Sequence, residues 1–219
     1  MFNTSHTPIT YRSVLATLRT LIPDRDIENF DEAKRIAEHQ AAKLLTLHGI
    51  TTWPVPVELI IEQLPKIRIE YCEQPVSGAT FWNGSEWVIQ LNRYENKARQ
   101  RFSLAHEYKH IIDHGRTQQL YGSKAAPQAA PQASKHAESA ADYFAACLLM
   151  PKVLLKRAFF SGIQKPSELA ELFGVSPTAM AIRLEQTGIT ERAPRCHAPV
   201  SRWMPRAAAR SFSSKPIHV

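Results

Sequence analysis

Apolar residues recur along this chain with two different periods, and the switches between them separate helical from β-forming segments. From Asp31, the run DEAKRIAEHQAAKLLTLHG sets Ala33, Ile36, Ala37, Ala41, Leu44, Leu45 and Leu47 near one stripe. Asp31 can cap and Gly49 can stop a helix, so the pattern predicts an amphipathic helix there. A shorter helix is expected at Tyr11 to Leu21, and another at Val57 to Leu64 after Pro54 and Pro56. Between Lys66 and Tyr71, Ile67 and Ile69 alternate with charged residues, the signature of a half-buried strand. ATFW, then Asn83-Gly84, then SEWVIQLN follow, and Asn-Gly between two β-prone runs signals a hairpin. Three short antiparallel strands are therefore expected. Trp87 to Asn92 is either a core strand or a sheet edge open to an extended partner.

The period then returns to helical. Glu95 to His114 carries Phe102, Ala105, Ile111 and Ile112 as apolar anchors and meets a stop at Gly115. Residues 117–135 repeat Ala-Pro-Gln without a sustained period and read as a flexible loop, a candidate flap. A helix from His136 to Met150 follows, halted by Pro151. Ser167 to Phe173, Gly174-Val175-Ser176 and Pro177 to Gln186 have the length and turn glycine of a helix-turn-helix. Its second helix offers Arg183 as its only cation, too little to read bases or hold phosphate. Packing, or gripping a protein partner, suits this segment better than binding DNA.

Composition adjusts this picture in two places. Of the +7 formal charge, six units come from Arg192, Arg195, Arg202, Arg206, Arg210 and Lys215, within residues 192–219, which hold no acid. The rest of the chain is nearly neutral, which argues against a nucleic-acid surface and for a basic, disordered tail over 191–219. Cys72, Cys147 and Cys196 are odd in number and widely spaced, so neither a disulfide framework nor a cysteine zinc knuckle is indicated. The longest apolar run, Phe144 to Met150, is too short to span a bilayer, and the first residues lack an export leader. A cytoplasmic protein without membrane association is expected. Its parts are an N-terminal extension (1–30), a catalytic domain (31–160), a helical segment (161–190) and the tail.

The candidate chemistry lies in the helix of residues 95–114. His106-Glu107-Tyr108-Lys109-His110 is an HExxH motif: on a helix, i and i+4 share a face, so two imidazoles can reach one cation. Glu107 lies off that line but close enough to accept a proton from water activated by zinc. A five-residue motif also arises by chance, so its context decides. The next helix begins Glu138-Ser139-Ala140-Ala141-Asp142, with two carboxylates four residues apart. One can complete a zinc site while the other orients a histidine. Small residues at 140, 141, 145 and 146 permit close helix approach. Asp113, His114 and His136 are further ligand candidates, but a histidine in a last turn more commonly serves the helix C-terminus.

The runs RFSLAHEYKHIIDH, ESAADYFAACLLMP and LAELFGVSPTAMAIRLEQTGI, in that order, resemble the ImmA/IrrE family of metallo-endopeptidases, over residues 31–190. The resemblance implies an α+β, zincin-like fold: a small antiparallel sheet packed with helices, then a helix-turn-helix-like end. It implies Zn2+ held by His106, His110 and Glu138, leaving Asp142 to orient a histidine, with Glu107 as general base and then acid. It also implies a protein substrate, a helix-turn-helix repressor. Tyr108-Lys109 departs from the family's usual Leu-Gly, so packing or charge behind the zinc helix should differ. The competing readings are a DNA-binding or metal-sensing transcriptional regulator and a toxin-antitoxin component.

Overall fold

Asn29, not Asp31, caps the first long helix: its side-chain oxygen accepts the Glu32 backbone N–H at 3.0 Å. A computed structural model of the protein describes residues 14–122 and 130–190. Helix α1 (Val14–Arg19) precedes α2 (Phe30–Leu47), whose Ala33, Ile36, Ala37, Ala41, Leu44 and Leu45 are buried along the expected stripe. Gly49 leaves the helix with φ +64°, a conformation that costs glycine little. Helix α3 (Val57–Glu62) leads to strands β1 (Ile67–Cys72), β2 (Gly78–Trp82) and β3 (Trp87–Asn92).

The sheet is mixed, which corrects the expectation of three antiparallel strands. β2 and β3 form the antiparallel hairpin, with Trp82 opposite Trp87, while β1 runs parallel to β3 from Ile67 opposite Trp87. The order is β1-β3-β2, so Trp87–Asn92 is the central strand and not an edge. Composition explains the placement: β3 buries Val88, Ile89 and Leu91, whereas β1 and β2 are largely half-exposed. The most apolar strand takes the middle, where neighbours cover it and both its backbone edges are paired. At the hairpin, the Asn83 side chain accepts the Ser85 and Glu86 backbone N–H groups at 3.0 and 2.9 Å.

Helix α4 (Lys97–Asp113) is capped by Asn96, whose side chain accepts the Arg99 N–H at 2.9 Å. Helices α5 (Thr117–Tyr121) and α6 (Ala130–Leu149) then occupy both ends of the stretch expected to be a loop. Leu120 and Tyr121 explain why the first of these folds: both are buried in a cluster with Ile22, Ala33, Ile36, Ala137 and Ala140. The centre of that loop, 123–129, lies outside the described residues, as does the basic tail of 191–219. Helices α7 (Lys152–Phe160), α8 (Pro166–Phe173) and α9 (Pro177–Thr187) complete the described chain. No helix among the described residues is long and apolar enough to cross a membrane.

One hydrophobic cluster runs through most of these elements, from Val14 and Leu18 of α1 to Leu169 and Phe173 of α8 and Met180 and Leu184 of α9. Arg19 ties α1 to the end of α4, donating to the Ile111 and Ile112 carbonyls at 2.8 and 3.0 Å. Carbonyls in a helix's last turn lack intrahelical donors, so this guanidinium satisfies two of them. Gly174 closes α8 with φ +64°, and Ser176 caps α9 by accepting the Ala179 N–H at 3.1 Å.

Candidate metal centre

Two faces of α4 do different work. Leu104, Ala105, Tyr108, Ile111 and Ile112 are buried in the core, while Phe102, His106 and His110 follow one another at i, i+4, i+8 on the other side. Opposite them, α6 presents Glu138 and Asp142, also one turn apart. Ala140, Ala141 and Ala145 are fully buried on α6, and their lack of bulk lets the two helices approach.

The approach brings three donors together. His106 Nε2 lies 3.1 Å from His110 Nε2 and 3.1 Å from Glu138 Oε2, and His110 Nε2 lies 3.5 Å from Glu138 Oε1. These three residues form the group of possible metal ligands found among the described residues. Zinc bonds to nitrogen and oxygen of about 2.0–2.1 Å at tetrahedral angles separate neighbouring donors by roughly 3.3–3.4 Å. The observed triangle fits that edge length, and two imidazoles with one carboxylate are a donor set that zinc accepts in hydrolytic sites. On the far side of His106, Nδ1 lies 2.9 Å from Asp142 Oδ1, which directs Nε2 towards the other two donors.

Glu107 sits beside this triangle, only 8% exposed. The start of β2 lies against it: a Cβ on Gly78 would fall 3.0 Å from both Cγ and Oε1 of Glu107. Gly78 thus leaves room for the carboxylate, a role the sequence analysis missed. The available signal was a glycine at the head of a strand, which often marks close backbone approach.

Electrostatics differentiates the three titrating neighbours. Burial raises the Glu107 pKa, and nearby Glu138 adds to the effect against the opposing influence of His106. Burial alone would lower His106, but the Asp142 hydrogen bond and the Glu107 and Glu138 carboxylates outweigh it and leave that pKa raised. His110 is shifted down, first by burial and then by the charge of His106.

Behind the centre, Lys109 and Asp113 pair at 2.5 Å and both are buried; Tyr121 of α5 donates to the other Asp113 oxygen at 2.5 Å. Burial lowers the Lys109 pKa, with Asp113 opposing. The cation at this position is therefore compensated inside the core and anchors α5 to α4. Asp113 is thereby occupied away from the centre. His114 caps α4 and meets Trp87 edge-on at 4.7 Å, and His136 stacks on Phe30 at 4.6 Å.

Fold and centre together define a zincin-like α+β domain. The family model described as the IrrE N-terminal-like domain, a peptidase family, matches residues 66–185, more than half of the sequence. The chain belongs to this family. Among solved structures, a Mycobacterium tuberculosis transcriptional regulator is similar, with a TM-score of 0.58 and 15% identity. The match covers 83% of this chain and 53% of the regulator, so the chain spans about half the length of that protein. At that identity the likeness concerns the fold. No curated protein matches the sequence.

Proposed function

We propose that this chain is a zinc-dependent endopeptidase that hydrolyses a peptide bond in a helix-turn-helix transcriptional repressor, with Glu107 as general base. The observation that carries the reading is the triangle of His106, His110 and Glu138 donors, 3.1–3.5 Å on each side, with the buried Glu107 carboxylate next to it. Zinc bound by these side chains supplies a Lewis acid that polarises a carbonyl and acidifies water. Glu107 takes the proton of the attacking water on its carboxylate and returns it to the departing amide nitrogen. Asp142 keeps His106 oriented throughout.

Strand β2 supports a peptide as the substrate. Among the described residues β2 pairs with β3 alone, and a Cβ on its first residue would meet Glu107, so an extended backbone adding to its other edge would pass near the catalytic carboxylate. The repressor as partner rests on the family resemblance. It puts the enzyme in the cytoplasm, where repressors act. Direct DNA binding through α9 is disfavoured because Arg183 is 2% exposed, donating to the Met150 carbonyl at 3.1 Å beneath the Tyr143 ring.

Incubation with repressors encoded near its gene, with and without chelator, tests the reading by intact mass. We expect about one zinc per chain and a single cut that disappears on chelation and in Glu107→Gln. Purified protein that binds no zinc, or a Glu107→Gln variant that still cuts, would sink it.

A further inference from the structure

The His106–His110 stripe of α4 does not end at the metal centre. Phe102 continues it one turn earlier, and there a recess of about 450 Å³ opens between α4, α6 and α9, lined by Phe102, Asp142, Tyr143, Met150, Ala179 and Ile182. Asp142 belongs to both places, since its carboxylate holds His106 at 2.9 Å. A second recess of about 410 Å³ adjoins the first across Phe102, Ala179 and Ile182 and reaches Glu95 and Arg99. The two form one groove leading away from the centre.

Its chemistry is apolar at the floor and balanced at the rim. Lys34 and Asp142 both line one recess, and Glu95 lies with Arg99 in the other, so neither sign of charge dominates. Ile182 is 52% exposed, a large apolar surface of the kind that marks contact sites when it joins a patch. α9 explains how it arises. Met180, Arg183, Leu184 and Thr187 turn inward, leaving Ala179 and Ile182 to face the groove. The second helix of a helix-turn-helix-like pair thus presents an apolar stripe where a DNA reader needs cations.

We propose that this groove is the specificity subsite of the enzyme, binding an apolar segment of the substrate protein a few residues from the cleaved bond, with Phe102, Ala179 and Ile182 as the selecting residues. The inference rests on the endopeptidase reading and deepens it. A chain whose scissile bond lies at His106 and His110 meets Asp142 and then the recess within a few residues. A space of 450 Å³ accommodates more than one large side chain. Selection by apolar contact also suits a protein substrate whose own helices are amphipathic.

The test uses the full-length, zinc-loaded protein and a library of peptides from a digested proteome. Glu107→Gln reports capture and wild type reports cleavage, each repeated with Ala179→Trp, which fills the groove, and with Ile182→Glu, a surface change that leaves the core intact. We expect captured and cut peptides to share apolar residues close to the cut, and both variants to lose roughly tenfold in capture with melting temperature and zinc content unchanged. Glu107-dependent cleavage without that preference, or unchanged in both variants, overturns the subsite alone. Apolar capture that depends on Ile182, without cleavage by wild type, overturns the endopeptidase reading and keeps the groove. Neither capture nor cleavage overturns both. A dimer that Ile182→Glu dissociates, or capture that appears only after removal of residues 191–219, gives the groove to another occupant and also overturns the subsite.

Discussion

Gly78 and Asp142 act on the centre without belonging to the donor triangle, and both roles lead to measurable consequences. Gly78→Val places carbon 3.0 Å from the Glu107 side chain and must displace it. The Glu107 side chain must give by a few tenths of an ångström to the added Cβ and further to the valine methyls, so turnover should fall by up to about 10²-fold, the cost of a ~1 Å misplacement, while zinc content stays at wild-type level. Loss of zinc, or unchanged turnover, would refute the assigned role. Asp142→Ala frees the far nitrogen of His106 and should weaken zinc binding by about 10–100-fold, read by competition with a chromophoric chelator. The histidine shift has a definite sign. A raised His106 pKa means its proton competes with the metal already above the ordinary imidazole value of about 6.5, so zinc affinity should decline from there as pH falls. In the metal-free chain the same shift acts oppositely. Protonated His106 stabilises the fold below its unfolded pKa, and that contribution is lost as pH rises through the folded value. A zinc affinity that stays flat on acidification through this range would contradict the shift.

At the scale of elements, the Lys109–Asp113–Tyr121 contact joins α4 to α5 through a buried charge pair. Removing one partner leaves the other charge uncompensated in the core, so Asp113→Ala should cost about 3–5 kcal/mol in urea unfolding. Replacing the whole group, as Lys109→Met, Asp113→Leu and Tyr121→Phe together, removes the unpaired charge and the orphaned hydroxyl. It should lie much closer to wild type, and equal losses in both proteins would refute the argument. Sequence periodicity was informative here in proportion to helix length. α2 and α4 were legible because many turns repeat one stripe. α5 was not: five residues show no period, and what holds Leu120 and Tyr121 is a cluster contributed by α2 and α6. The Lys109 substitution was visible as an oddity with Asp113 four positions on, but the Tyr121 hydroxyl that completes the buried group was not. Strand order was likewise hidden, because β1, β2 and β3 each show β character while their pairing is a long-range choice.

For the whole molecule, a core that runs from α1 to α9 makes α8 and α9 structural parts of the unit that carries the candidate metal centre. Deleting residues 166–190 would remove Leu169, Phe173, Met180 and Leu184, which are at most 1% exposed in the fold, and would uncover the core cluster they pack against. We expect the intact protein to unfold in one cooperative step and the truncated one to lose that transition, seen by matching near- and far-ultraviolet circular dichroism. A truncated protein that melts like wild type would show the helices to be independent. The amino-acid sequence by itself determined the long helices, the hairpin and the two candidate histidine ligands, because helical and strand periods and an i, i+4 motif are local properties of the chain. Only the tertiary structure decided that β3 lies inside the sheet and that Gly78 makes room for Glu107. It alone placed Asp142 at His106 and turned the outward side of α9 into the wall of a groove. Each of these depends on which distant segments pack together, and that is settled by the burial of apolar surface over the whole chain, which local spacing does not encode.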